Sequence, residues 1–126
     1  MSGQRSILVV DDDADIRESV AEALEAEGYH VATAANGAIA LHLLREREVR
    51  PDAILLDIMM PDMDGRAFRE EQMKDIRLAL IPVIVFTAIS APTDTARRLQ
   101  AAGLLRKPLH LEDLLSEVAR VGGPAT

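Results

Sequence analysis

Cysteine and tryptophan are absent from this chain of 126 residues. Without cysteine there can be no disulfide and no thiolate zinc site. Aromatic residues make up only 2% of the sequence while apolar residues reach 48%, so the core must be aliphatic, built from Leu, Ile, Val, Ala and Met. Positive charge is also scarce: 14 Lys and Arg face 21 Asp and Glu, for a formal net charge of −7. Such a chain does not grip DNA, RNA or an anionic membrane through bulk electrostatics, though the balance leaves room for a local basic patch. No apolar run approaches the roughly 18 residues of a membrane span. The N-terminus, Met1-Ser2-Gly3-Gln4-Arg5-Ser6, has no apolar signal core beyond the short run that follows it. The cytoplasm is the expected compartment. The length suits one domain with one core.

What is present is an alternation of apolar runs and amphipathic stretches. Ile7-Leu8-Val9-Val10 is of strand length, and Asp11-Asp12-Asp13 follows at once, offering a cap for the next helix. That helix carries Ile16, Val20 and Leu24 on one face and ends at Gly28. Tyr29 to Ala34 alternates as a second strand. Asn36-Gly37 opens a helix with Ala40, Leu43 and Leu44 on one side, and Pro51-Asp52 breaks it. Ala53 to Leu56 reads as a buried strand that ends on Asp57, before the turn cluster Pro61-Asp62 and Asp64-Gly65. A helix holding Phe68 starts near Asp64; its stripe is poor beyond that residue. Pro82 to Phe86 is the fourth strand, with Thr87 at its end. Ala91-Pro92 leads into a helix with Ala96, Leu99 and Ala102 towards the core and Gly103 at its close. Leu104-Leu105-Arg106 is a short fifth strand ended by Lys107-Pro108. The last helix places Leu111, Leu114, Leu115 and Val118 on one stripe.

Five strand–helix units of this kind imply a doubly wound parallel sheet with helices on both faces. In such sheets ligands bind outside the carboxyl ends of the strands. Asp11 and Asp12, Asp57, Thr87 and Lys107 all fall there. Each alone has a plain explanation: Asp13 as a helix cap, Asp57 as a turn opener, Thr87 as a strand-end hydroxyl, Lys107 as a solvated charge. Their joint occurrence at consecutive strand ends does not. Clustered carboxylates repel and call for a cation, and a hard divalent ion such as Mg²⁺ answers that need.

Val9-Val10-Asp11-Asp12, Asp57 with Met60-Pro61 and Gly65, Thr87-Ala88 and Lys107-Pro108, in that order, resemble the response-regulator receiver domain of two-component signalling. The resemblance spans residues 7 to about 120. It implies a flavodoxin-like α/β fold: five parallel strands in the order 2-1-3-4-5 with five helices. It implies Asp57 as phosphoacceptor, with Mg²⁺ held by Asp11, Asp12, Asp57 and the backbone carbonyl of Met59. It implies Thr87 and Lys107 on the phosphoryl oxygens, and a Lys107-Pro108 bond that is commonly cis. It implies a phosphoryl group taken from a histidine kinase or a phosphotransfer protein, and a domain that catalyses only its own phosphorylation and dephosphorylation. The expected organisation is a flexible N-terminus over residues 1–6, the receiver domain over 7–121, and a tail or linker stub over 122–126. A monomer or weak dimer is expected, without nucleic-acid or membrane partners and with the output protein or output domain unspecified.

Two other readings compete. Asp11-Asp12-Asp13 fits the Asp-x-Asp start of a haloacid-dehalogenase-type phosphatase with Asp11 as nucleophile, which leaves Asp57 and Lys107-Pro108 unexplained. A pseudo-receiver serving only as a binding platform needs none of the phosphorylation residues, and all are present. One departure from the family stands out: Leu104 occupies the fifth-strand position where receivers usually carry Tyr or Phe. Gly103 abuts it, which predicts a shortened connection from the fourth helix to the fifth strand and a switch face built differently from the family's.

Overall fold

The computed structural model describes residues 4–58, 64–88 and 92–125, the side chains of residues 92 and 93 apart. The expected turn residues Met60, Pro61 and Asp62 lie outside this set, as does Ala91. The elements run β1 (Ser6–Val10), α1 (Ala14–Ala26), β2 (His30–Ala34), α2 (Gly37–Arg45), β3 (Ala53–Asp57), α3 (Gly65–Met73), α4 (Ile76–Ala79), β4 (Val83–Thr87), α5 (Pro92–Arg98), β5 (Gly103–Arg106) and α6 (Leu111–Gly122). The five strands form one parallel sheet in the order β2-β1-β3-β4-β5, as the resemblance implies.

Alternation along each strand sorts side chains to two faces. Leu8, Val10, Ile54, Leu56, Val83 and Val85 pack under α2, α3 and α4, against Leu41, Leu44, Phe68 and Leu78. Ile7, Val9, Ala53, Leu55, Ile84 and Phe86 pack under α1 and α6, against Val20, Leu24, Leu114 and Val118. With both faces covered, the three central strands can be apolar throughout, which is why they were so legible.

The helix starts are chemical. Asp13 accepts from the amides of Asp15 and Ile16, Asn36 from Ile39, and Asp64 from Ala67. Gly28 takes a φ of 105° just beyond α1, where a side chain would be strained. The tyrosine that follows is buried, and its hydroxyl donates to the Gly123 carbonyl at 2.8 Å. The C-terminal stretch is held again where the Arg5 amide donates to the Ala125 carbonyl at 3.3 Å.

Three expectations are corrected. Among the described residues there are six helices where five were expected, because Asp75 caps a further one-turn helix, α4, by accepting from the Arg77 amide. The helix expected to close at Gly103 ends earlier: Gln100 takes the left-handed conformation (φ 54°), the Ala101 amide returns to the Ala96 carbonyl, and Gly103 is already in β5. Residues 99–102 therefore connect α5 to β5. Leu111, expected in the core stripe of the last helix, is 57% exposed, whereas Leu114 and Val118 are buried.

A buried polar network ties three elements together near that helix end. Arg69 donates to the Leu99 carbonyl (2.8 Å), the Gln100 carbonyl (3.1 Å) and the Gln72 side-chain oxygen (2.8 Å). Gln72 in turn donates to the carbonyls of Leu78 (2.8 Å) and Ile81 (3.0 Å). Burial pulls the Arg69 guanidinium below its ordinary value, but that value is high enough that it stays charged.

Candidate functional site

The parity of the strands decides which polar groups meet. Asp57 continues the row of Ala53 and Leu55 and sits in register beside Phe86, which itself pairs with Leu105. Asp11 follows Val9 with the same parity, and Lys107 follows Leu105. All of them therefore reach the carboxyl edge of the sheet on the side covered by α1 and α6. There the Lys107 ammonium lies 3.0 Å from a carboxylate oxygen of Asp11 and 3.2 Å from one of Asp57. It also rests 5.0 Å from the centre of the Phe86 ring, a cation–π distance. Thr87, of opposite parity, continues the row of Val83 and Val85; it is buried, and its carbonyl accepts from the Lys107 amide at 3.1 Å.

Asp11 and Asp57 are buried, while Asp12 is exposed. Oxygens of all three lie within 4.8 Å of one another. Asp11 is fixed at several points. Its second carboxylate oxygen accepts from the Asp13 amide (2.9 Å), and its carbonyl accepts from the Arg17 guanidinium (2.8 Å). Burial lowers the Lys107 ammonium's affinity for its proton, but hydrogen bonds and charge from Asp11 and Asp57 outweigh it, so its pKa lies above the ordinary lysine value. Three carboxylates against one ammonium leave an excess of negative charge among hard oxygen donors, and this donor set fits a divalent cation of the Mg²⁺ type.

The chain turns sharply after β3. The Gly65 amide donates to the Ile58 carbonyl at 3.0 Å. A Cβ on Gly65 would stand 2.8 Å from the Ile58 Cα and 3.1 Å from the Asp57 carbonyl oxygen, so only glycine lets α3 start this close to the site.

Asp11, Asp12, Asp57 and Lys107 thus come together as the sequence predicts, and Thr87 stands at the adjoining strand end. Met59 lies outside the described residues. Two contributors went unforeseen. Phe86 was legible as core, and strand parity puts Lys107 over it. Arg17 carries no sequence signal for the carbonyl it binds.

Comparisons with known proteins agree with this geometry. The family model for the response regulator receiver domain matches residues 7–119. The response regulator MprA of Mycobacterium sp. (strain KMS) is 39% identical over 116 residues, which cover 89% of this chain and 48% of that protein. The response regulator receiver protein CpdR of Brucella abortus (strain 2308) is 36% identical over 121 residues, covering 93% of this chain and 96% of that one. The chain spans about half the length of the MprA relatives it matches. Among solved structures, the chemotaxis protein CheY4 of Vibrio cholerae superposes with a TM-score of 0.84 at 32% identity, over 94% of this chain and 99% of that one. A response regulator receiver protein from Burkholderia phymatum gives 0.86 at 28% identity, with 98% of each chain covered. Sheet order, strand-end chemistry and sequence point the same way, and the chain belongs to the response regulator receiver domain family of two-component signalling.

Proposed function

We propose that the chain is a phosphoacceptor switch with Asp57 as the acceptor. The observation that carries this reading is the Lys107 ammonium held between Asp11 and Asp57, at 3.0 and 3.2 Å. Asp57 is the strand-end carboxylate that offers an oxygen to this cation from the middle of the sheet. In the reaction a carboxylate oxygen of Asp57 attacks phosphorus. A new oxygen–phosphorus bond forms as the bond to the donor breaks, and the electron pair leaves with the donor: the imidazole of a histidine kinase or phosphotransfer protein, or the carboxylate of a small acyl phosphate. Lys107 moves its hydrogen bond from the carboxylate to a phosphoryl oxygen, and Thr87 donates to another. Asp11, Asp12, Asp57 and the Met59 carbonyl would hold Mg²⁺, which neutralises charge on the transferring group. The acyl phosphate carries more negative charge than the carboxylate it replaces, and rearrangement around Thr87 reports that change.

The phosphatase reading fares worse. Asp11, its nucleophile, is buried with both carboxylate oxygens engaged, and Asp13, the second aspartate of its Asp-x-Asp, which that reading needs as an acid, is engaged as the cap of α1. We assign the receiver to residues 7–121, with 1–6 and 122–126 flanking it, although β1 begins one residue earlier, at Ser6, and α6 ends one later, at Gly122. Among the described residues no helix is long and apolar enough to cross a membrane. The test is incubation with acetyl phosphate and Mg²⁺. Intact mass rises by one phosphoryl group, and Asp57→Asn removes the gain; a variant that labels like the parent overturns the assignment.

A further inference from the structure

The scarce positive charge of this protein is not spread evenly. A hollow of about 540 Å³ between α3 and the end of α5 is lined by Arg66, Arg69, Lys74 and Arg98 with one acid, Glu70. A second, of about 330 Å³, is lined by Arg47, Arg50 and Arg77 with no acid. Together they hold seven of the chain's 14 basic residues and one of its 21 acidic ones. Lys74 and Arg77 are already paired, with Glu71 at 2.8 Å and Asp75 at 3.7 Å, but among the described residues no carboxylate pairs with Arg50, Arg66 or Arg98.

The corner between α3 and α4 contributes to both hollows, through Met73 and Lys74 on one side and Arg77 and Leu78 on the other. This corner carries the most exposed large apolar side chains among the described residues: Ile76 is 84% exposed and Leu80 is 80%, with Met73 at 45%. Ile76 and Leu80 are four residues apart around a one-turn helix and so share its outer face. The fold takes only Leu78 from that helix into the core. Nothing inside the molecule calls for the other two to be apolar.

We propose that this corner docks a short acidic amphipathic segment of a partner protein. The segment's apolar residues cover Ile76, Leu80 and Met73, and its carboxylates meet Arg66, Arg98 and Arg50. Apolar anchors with a charged rim are the ordinary anatomy of a protein interface. The rim is cationic in a chain whose net charge is −7, which singles out an acidic partner. An anionic membrane acts only within about 10 Å of its surface at physiological salt, and its plane offers no side chains to enter the two hollows, as a protein segment does. This surface does not depend on the chemistry at Asp57.

The test uses a labelled, end-capped helical peptide of Glu and Leu at amphipathic spacing, with a scrambled peptide of the same composition, a Lys-for-Glu version and anionic lipid vesicles as comparators. Amide shifts caused by the Glu/Leu peptide fall on residues 47–50, 66–80 and 97–100. Arg66→Glu with Arg98→Glu weakens binding at least tenfold, as does Ile76→Ser with Leu80→Ser, and both variants still label with acetyl phosphate. The proposal is overturned by no binding, by equal binding of the scrambled or Lys peptide, by shifts elsewhere, by undiminished binding to the variants, or by preference for vesicles.

Discussion

Replacing Lys107 by Met separates its charge from its bulk. The ammonium stands 3.0 and 3.2 Å from carboxylate oxygens of Asp11 and Asp57. At an effective dielectric of about 20 each contact is worth about 5 kcal/mol before desolvation. Oxygens of the two carboxylates lie within 4.8 Å of each other. With the cation gone, the same dielectric gives a repulsion of at least about 3 kcal/mol. Lys107 loses hydration when it is buried, and Met avoids that cost, so the attractions are not lost in full. We predict that Lys107→Met lowers stability by about 3 kcal/mol at neutral pH in the presence of a chelator, the range found when one partner of a buried ion pair is removed. Adding Asp57→Asn to Lys107→Met then restores about 2 kcal/mol, because one of the two repelling charges is gone. Urea unfolding of the parent, both single variants and the double variant measures this. If the double variant is no more stable than Lys107→Met, the charge account of the site is wrong. The pH dependence has a fixed sign. Lys107 binds its proton more tightly when folded, so its contribution is fully present below the ordinary lysine value of 10.5 and is lost as pH rises through the higher folded value. Lys107→Met should lack that part of the alkaline decline.

Other substitutions probe the backbone and the cation set. Gln100→Gly, at a φ of 54°, should stabilise the protein by about 0.5–1 kcal/mol in urea unfolding; a loss would show that the Gln100 side chain contributes contacts that outweigh the backbone cost. Gly65→Ala forces its Cβ to within 2.8 Å of the Ile58 Cα and should cost about 1–3 kcal/mol. It should also slow acetyl phosphate labelling at Asp57, and parental stability and rate together would contradict the close approach. Asp12→Ala should leave apo stability unchanged or slightly raised, since Asp13 rather than Asp12 caps α1, and should block Mg²⁺-dependent labelling. Normal labelling would remove Asp12 from the cation set.

The central strands could be read because they are apolar runs bounded by turn residues, and the site residues because each follows such a run directly. Strand parity then brings Asp11, Asp57 and Lys107 together, and parity is countable from sequence. What failed was local punctuation. The sequence marks Gly103 as the close of the helix before β5, but Gln100 makes the left-handed turn instead, with its carbonyl bound by Arg69 from thirty-one residues earlier. That partner is invisible to a local rule. The break between α3 and α4 was partly legible, since Asp75 is a good cap, but the weak apolar stripe after Phe68 concealed it. The stripe is weak because Arg69 and Gln72, both buried, occupy positions where a core helix normally carries apolar residues.

That pair also constrains how this sequence can drift. Changing Arg69 alone to an apolar residue strands the carbonyls of Leu99 and Gln100 and the side-chain oxygen of Gln72. Changing Gln72 alone strands the Ile81 carbonyl, leaves the Leu78 carbonyl to backbone amides alone, and leaves a buried guanidinium with one donor group unanswered. Each first step costs a few kcal/mol, a large share of the total stability of a domain this size. The two positions therefore behave as one inherited unit. A lineage leaves it only by changing both residues together with the loop carbonyls they hold. The network acts as a ratchet, and descendants that keep it also keep the α3–α4 corner and the end of α5 where they now stand.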